Sequence, residues 1–335
     1  MRSSAGSVRR RWAFPWLVGG LLVVVTASLL LGSNPMAAGQ IVGALFDPAT
    51  DTDAIVWGSR VPRTVLGLVV GFALGVAGAV MQGQTRNPLA DPGIFGVSAG
   101  ASLAVVVGVY VLGVSSPLLT SALALVGAVL ASVVVFAIAA AGRGLAGPVP
   151  LAIAGTAVTA LLGALTSFLV LTDQTTLAAY RIWVVGSLSG RNLDGTAVMI
   201  TFVVIGLLLA GLNAGSLNSL ALGTDLARGL GESLWRARLV GLAAITFLTA
   251  GAVSLAGPIG FIGLTAPHLA RALVGGDHRL LLPAAGLVGM LALLTSDVIG
   301  RLVGGQAEVP VGVIMATLGG VVFVVIVRRA KLVAL

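Results

Sequence analysis

Long apolar runs recur along the whole chain, separated by short polar breaks. A transmembrane helix needs about 20 mostly apolar residues. Stretches of that kind fall at 14–32, 61–82, 95–113, 117–140, 149–171, 193–213, 238–256, 259–274, 280–300 and 310–327. The pattern predicts an all-α, polytopic membrane protein with ten transmembrane helices, an even number that puts both termini on one side. The run at 259–274 is short and holds Pro267 and His268; read as a re-entrant segment instead, it would change that parity. The first run, from Ala13 to Leu31, spans 19 residues, whereas the apolar core of a signal peptide spans about 7–15, so it reads as an uncleaved helix. The chain then divides into an N-terminal tail (1–13), a membrane domain (14–329) that includes a polar inner segment (213–238), and a C-terminal tail (330–335).

Composition narrows the class. Of 335 residues, 58% are hydrophobic, 47 are glycine and only 9% are charged. Soluble domains carry roughly 25% charged residues, so a soluble enzyme, a nucleic-acid-binding domain and a disordered chain are all excluded. No cysteine is present and only two histidines, His268 and His278, which removes thiolate and histidine-built metal centres. The single lysine, Lys331, lies near the C-terminus. A phosphate-binding Gly-Lys-Ser/Thr loop is therefore impossible, and any ATP that drives this chain is bound by another polypeptide.

The net charge of +8 flanks the apolar runs rather than forming a stripe, as the positive-inside rule describes. With the N-terminus inside, inner segments hold 14 basic residues, among them Arg9, Arg10, Arg11, Arg86, Arg228, Arg236, Arg238 and Arg328, against four acidic ones: Asp91, Asp225, Glu232 and Asp277. Outer segments hold five basic residues (Arg60, Arg63, Arg181, Arg191, Arg301) against seven acidic ones. No run carries an ionisable residue near its centre apart from His268, which argues against an ion-coupled carrier and for a pathway moved by force applied elsewhere.

Three segments break the apolar pattern. The inner stretch from Ala221 to Arg238 reads as two short helices joined by Gly229–Gly231, either a knob for a partner's groove or a plain interfacial connector. Residues 84–100 place Asn87 before Pro88 and Asp91 before Pro92, which are turn initiators in helical territory. Such a break is tolerated at membrane depth only inside protein or beside a water-filled cavity; the alternative is a simple inter-helix turn. On the outer side, Arg60, Arg63 and Arg301 could pair with carboxylates of a docking protein, or be neutralised locally by Asp51, Asp53 or Asp297, or by lipid phosphates. Trp183 reads as an interfacial anchor and His268 as packing. A faint internal echo also runs through the chain at an offset of 173, with Arg63 to Gly78 resembling Arg236 to Gly251 and a Pro-Gly break following each at Pro92 and Pro258. It has the form of an inverted repeat; the alternative is chance similarity in a chain so rich in Gly, Ala and Val.

The segments Arg60–Thr64, Asn87–Ala101, Leu222–Gly231, Gly257–His268 and Glu308–Gly312 together resemble the FecCD-type permeases, the membrane subunits of binding-protein-dependent ABC importers for ferric siderophores, haem and cobalamin. The matches run in order from about residue 35 to 329. The resemblance implies a vitamin-B12-importer-like fold of ten helices, a second permease subunit (a copy or a paralogue), two cytoplasmic ABC ATPase subunits and an extracytoplasmic substrate-binding protein. It implies no cofactor on this chain, with ATP and Mg on the partner ATPase, and a plasma-membrane location with cytoplasmic termini. Carried over by residue, Arg60, Arg63 and Arg301 would dock the binding protein. Leu222, Gly223, Asp225, Ala227, Arg228, Leu230, Gly231 and Glu232 would couple to the ATPase. Asn87, Pro88, Asp91 and Pro92 would form a structural turn. The turn before the fifth helix would be a cytoplasmic gate; it carries Pro148 and Val149 where a cobalamin importer has small hydroxyl residues. The expected function is uptake of a ferric siderophore by alternating access, with haem or cobalamin as alternative cargo and an ion-coupled secondary transporter as the alternative class.

Overall fold

The computed structural model describes all residues except 1–3, 33–35, 37, 47–54, 142–147, 305–306 and 330–335. Its elements in chain order are α1 (Ser4–Leu30), α2 (Ala38–Phe46), a π-helical turn (Val56–Arg60) running into α3 (Val61–Thr85), and a 3-10 turn (Pro92–Phe95) ahead of α4 (Val97–Leu112). Next come α5 (Pro117–Ala141), α6 (Pro148–Thr172), α7 (Gln174–Val184), α8 (Ala197–Ala221) and α9 (Thr224–Gly229). The chain continues through α10 (Leu234–Ala256), α11 (Ile262–Val274), α12 (His278–Gly304) and α13 (Val311–Arg329). No strand occurs among the described residues.

Each of the ten apolar runs becomes a helix, but not all are alike. Seven helices are long and apolar enough to cross a membrane, and α4 and α13 are shorter apolar helices. α11 has 13 residues, a rise of about 20 Å against a hydrocarbon core of about 30 Å. An irregular stretch, 257–261, supplies the remaining path. α1 starts at Ser4, inside the stretch read as an N-terminal tail, while 330–335 lie outside the described residues. Three short helices, α2, α7 and α9, fall outside the ten runs. Asp173 caps α7: its carboxylate accepts a hydrogen bond from Thr176 N at 2.6 Å.

Contacts at the two ends of the bundle sort by the sides that the charges predict. At one end, Gln84 donates to Ala237 O, Arg271 to Gln82, Asn218 to Asp277 and Ser216 to Glu232. At the other, Arg63 meets Asp297 and Glu308, and Arg191 meets Ser121. We call these the inner and outer ends. α10 and α12 both start at the inner end, so the chain between them returns from outer to inner and the even parity holds.

α3 and α10 form the centre, each 78% buried along its apolar window, whereas α1 is only 17% buried. Small residues let the backbones approach closely, the usual basis of helix packing in membranes. Gly78 of α3 lies against the backbone of Gly263 in α11, and a Cβ there would overlap the Gly263 carbonyl. α3 and α10 run in opposite directions, α3 ending and α10 starting at the inner end.

Candidate functional site

At the outer end, the π-helical turn and α3 deliver Arg60 and Arg63, and the last two turns of α12 deliver Asp297 and Arg301. Asp297 takes Arg63 Nη2 at 2.8 Å and Nε at 2.9 and 3.0 Å, and its second oxygen takes Arg301 Nη2 at 2.9 Å. Arg63 Nη1 reaches Glu308 at 2.7 Å, and the Ser189 hydroxyl donates to the same Glu308 oxygen at 3.1 Å. The network therefore ties α3, α12, the 184–196 connection and the approach to α13 together.

Arg301 and Arg60 are also directed at the end of α1. A helix leaves its last four carbonyls without intrahelical partners and carries partial negative charge there. Arg301 donates to Ser28 O and Leu31 O, both at 2.9 Å, and to Ser28 Oγ at 3.0 Å. Arg60 donates to Leu29 O and to Leu30 O. Two guanidinium groups from distant segments thus cap α1. Arg301 Nε is buried without a partner.

The geometry places Arg60, Arg63 and Arg301 inside the outer end rather than on its rim. They are 4%, 5% and 3% exposed, and Asp297 is fully buried. A buried arginine must have its charge and its donors answered, and these partners lie up to 273 residues away. Local neutralisation by Asp297 is what the structure shows for Arg63 and Arg301; Asp51 and Asp53 lie outside the described residues. Glu308 and Ser28 also belong to the site; Glu308 opens one of the segments that carry the resemblance, though the resemblance assigns it no role, and nothing in the local sequence marks Ser28.

At membrane depth, the two Pro-Gly breaks meet. Asp91 caps the 3-10 turn by accepting Gly93 N at 2.8 Å, Asn87 Oδ1 accepts Leu89 N at 2.9 Å, and Pro88 is exposed at the turn. Pro92 and Gly93 from the first break, with Pro258 and Gly260 from the second, line one cavity of about 180 Å³ that also holds Asp91 and Thr249. Gly257 (φ 75°) and Phe261 (φ 68°) bracket the second break in left-handed conformations. The irregular backbone therefore lies beside a cavity, as an intramembrane break requires.

At the inner end, α9 and the bends around it form a short knob, and its exposed face differs from the residues singled out. Leu222, Leu226 and Leu230, four residues apart, are 59%, 63% and 67% exposed and make one apolar stripe. Leu226 escaped the sequence reading, although its four-residue spacing was a signal that could have found it. Asp225 and Arg228 form an open ion pair at 3.6 Å. Ala227 is buried. Gly223 (φ 108°) and Gly231 (φ 82°) make the bends, and Glu232 turns inward to accept from the Ser216 hydroxyl at 2.6 Å. Ala227 and Glu232 thus hold the knob rather than present a surface.

Beside the knob, Asp277 accepts Asn218 Nδ2 at 2.7 Å and Arg279 N at 3.0 Å. These bonds favour the carboxylate and hold its pKa below the ordinary value. Of the expected gate, 142–147 lie outside the described residues; α6 begins at Pro148, and Val149 is exposed.

A helical membrane bundle with broken segments around an internal cavity, and an exposed knob at one end, defines the class of polytopic transport permeases. The chain belongs to the FecCD transport family, which matches residues 20–329; it is a transport subunit and not itself an enzyme. It is 43% identical to the ferric enterobactin transport system permease protein FepD of Escherichia coli (strain K12), over 98% of each chain. It is 37% identical to the hemin transport system permease protein HmuU of Yersinia pestis, over 95% of this chain and 97% of that one. A solved metal-chelate type ABC transporter, in an inward-facing conformation, shares the fold at a TM-score of 0.80 and 26% identity, covering 95% of this chain and 99% of that one.

Proposed function

We propose that this chain is the permease of an ATP-driven importer that carries a ferric siderophore across the cytoplasmic membrane. The observation that carries the cargo is the 43% identity to a ferric enterobactin permease along 98% of both chains. Composition supports a chelated cargo over bare iron, since a chain with no cysteine and two histidines is poorly equipped to strip and hold the ion. A second permease subunit encloses the path, two cytoplasmic ATPases bind ATP and Mg and push on the α9 knob, and an extracytoplasmic binding protein delivers the chelate. Both termini lie in the cytoplasm, in line with the positive-inside count. The binding protein docks at the outer end, where Arg60, Arg63 and Arg301 keep the shape of the face through internal bonds. The gate lies at Pro148 and Val149.

The test is uptake by a strain that lacks its own permease and expresses this chain with its ATPase and binding protein. Radiolabelled ferric siderophore should accumulate only when all components are present and ATP is available. Accumulation of haem or cobalamin instead, or uptake by the chain alone in liposomes, would overturn the reading.

A further inference from the structure

Arg60, Arg63 and Arg301 all meet internal partners at the outer end. Arg191, in the connection between α7 and α8, is placed differently. Its guanidinium is half-buried, and among the described residues it donates only to Ser121 Oγ, at a long 3.3 Å. No carboxylate of the described residues pairs with it. Burial lowers its pKa, with no carboxylate acting to raise it. A guanidinium withdrawn from water needs its charge and its donors answered, and most of its N–H groups have no partner here.

The same guanidinium lines a cavity of about 30 Å³ with Ser121, Asn192, Asp194 and Leu255. That volume admits one species of about the size of a water molecule. Ser121 is buried; its oxygen accepts from Arg191, so its hydrogen is available to an acceptor in the cavity. Asp194, the one acid on the lining, accepts from Asn192 Nδ2 at 3.3 Å and is exposed to solvent, where salt screens its field. Pro117 at the start of α5 and Thr196 at the cap of α8 also line the cavity, and the two helix ends add partial positive charge to that of Arg191. A water would fill the space but leave the charge unanswered.

We propose that this cavity binds one small monovalent anion of halide size, held between the Arg191 guanidinium and the Ser121 hydroxyl. The ion ties the start of α5 to the connection that precedes α8. Ser189 of that connection donates to Glu308 of the arginine network, so an occupied site steadies the outer end of the bundle. The site is independent of the cargo proposed above.

The full chain, purified in detergent, is melted in sodium chloride and in sodium gluconate at equal ionic strength. Chloride in place of gluconate, which is too large for the cavity, should raise the melting temperature by about 2 °C and saturate as the site fills. Arg191→Gln should abolish the difference between the two salts, whereas Arg181→Gln, at an exposed outer arginine, should keep it. Ser121→Ala leaves the guanidinium in place and should raise the chloride concentration at half effect about fivefold, the loss of one hydrogen bond to an ion. Each variant is compared with itself in the two salts, so a general loss of stability does not mask the result. Bromide soaked into crystals of the chain should give an anomalous peak between Arg191 and Ser121. Equal melting of the unaltered chain in the two salts, a chloride effect kept in full by Arg191→Gln or lost in Arg181→Gln, a half-effect concentration unchanged in Ser121→Ala, or bromide found only elsewhere would each overturn the proposal.

Discussion

Asp297 holds two arginines at once: Arg63, 234 residues earlier in the chain, and Arg301, one turn further along its own helix. All three are buried. Removing one member of such a group leaves unanswered charge in a low-dielectric interior, which costs about 3–5 kcal/mol. Asp297→Asn keeps the volume and removes the charge that both guanidinium groups need. Thermal unfolding in detergent should show a loss of that size, while Glu308→Gln, at a position 22% exposed at the side chain, should cost clearly less. Equal melting of Asp297→Asn and the unaltered chain would reject the network as a stabilising element.

Much of this architecture was legible in the apolar runs, because a membrane helix must satisfy its backbone within one continuous segment. All ten runs became helices, and residues assigned to one side by charge meet at one end of the bundle. The arginine site was legible in part: neutralisation by Asp297 was open from the sequence and is found for Arg63 and Arg301, whereas the contributions of Ser28 and Glu308 come from distant segments with no local signal pointing to the arginines. Charge counting could place them on the outer side but could not tell rim from interior. The length of α11 was half legible: Pro258 and Gly257 signalled a break, yet hydropathy alone could not show that the helix regains its pitch only at Ile262. Leu226 is marked in the sequence only by its four-residue spacing from Leu222 and Leu230, a weaker local signal than the glycines and charges around it.

The close approach of α3 and α11 gives a prediction with its own control. Gly78→Ala would drive a Cβ into the Gly263 carbonyl, with backbone on both sides. Overpacking of this kind costs about 1–3 kcal/mol. Gly211, in the interior of α8, has nothing within 4 Å of the corresponding position, so Gly211→Ala should be neutral or raise stability by up to about 1 kcal/mol. Opposite signs for the two substitutions in parallel melts are the expected result, and a loss at Gly211 matching that at Gly78 would show that the close contact is not the cause.

The leucine stripe separates coupling from folding. Leu226 is 63% exposed, so Leu226→Glu removes little buried surface and should shift stability by no more than about 0.5 kcal/mol. In the complete transporter it should lower uptake and ATP hydrolysis driven by the loaded binding protein at least about tenfold, since a charge placed at the centre of an apolar contact is left unpaired. Glu232→Gln acts differently. It weakens the bond to Ser216, worth about 1 kcal/mol, and should soften the knob with only a partial loss of coupling. Unchanged uptake by Leu226→Glu would remove α9 as the contact.

Asp277 predicts a pH dependence of known sign. Hydrogen bonds from Asn218 and from the Arg279 backbone favour its ionised form, so its folded-state pKa lies below its unfolded value, which is about 4. A carboxyl depressed in this way contributes stability above its unfolded pKa and loses it as pH falls through the folded one. Asp277→Asn keeps the amide-bonding geometry but removes that contribution at neutral pH. The side chain is exposed and screened by solvent, so the effect is small, at most about 1–2 °C in the melting temperature at pH 7. The difference between the unaltered chain and Asp277→Asn should shrink as pH is lowered from about 5 towards 3 and vanish below the folded pKa. A difference that widened on acidification would mean that the carboxyl is favoured in its protonated form, and the Asn218–Asp277 tie between α8 and α12 would have to be reassigned.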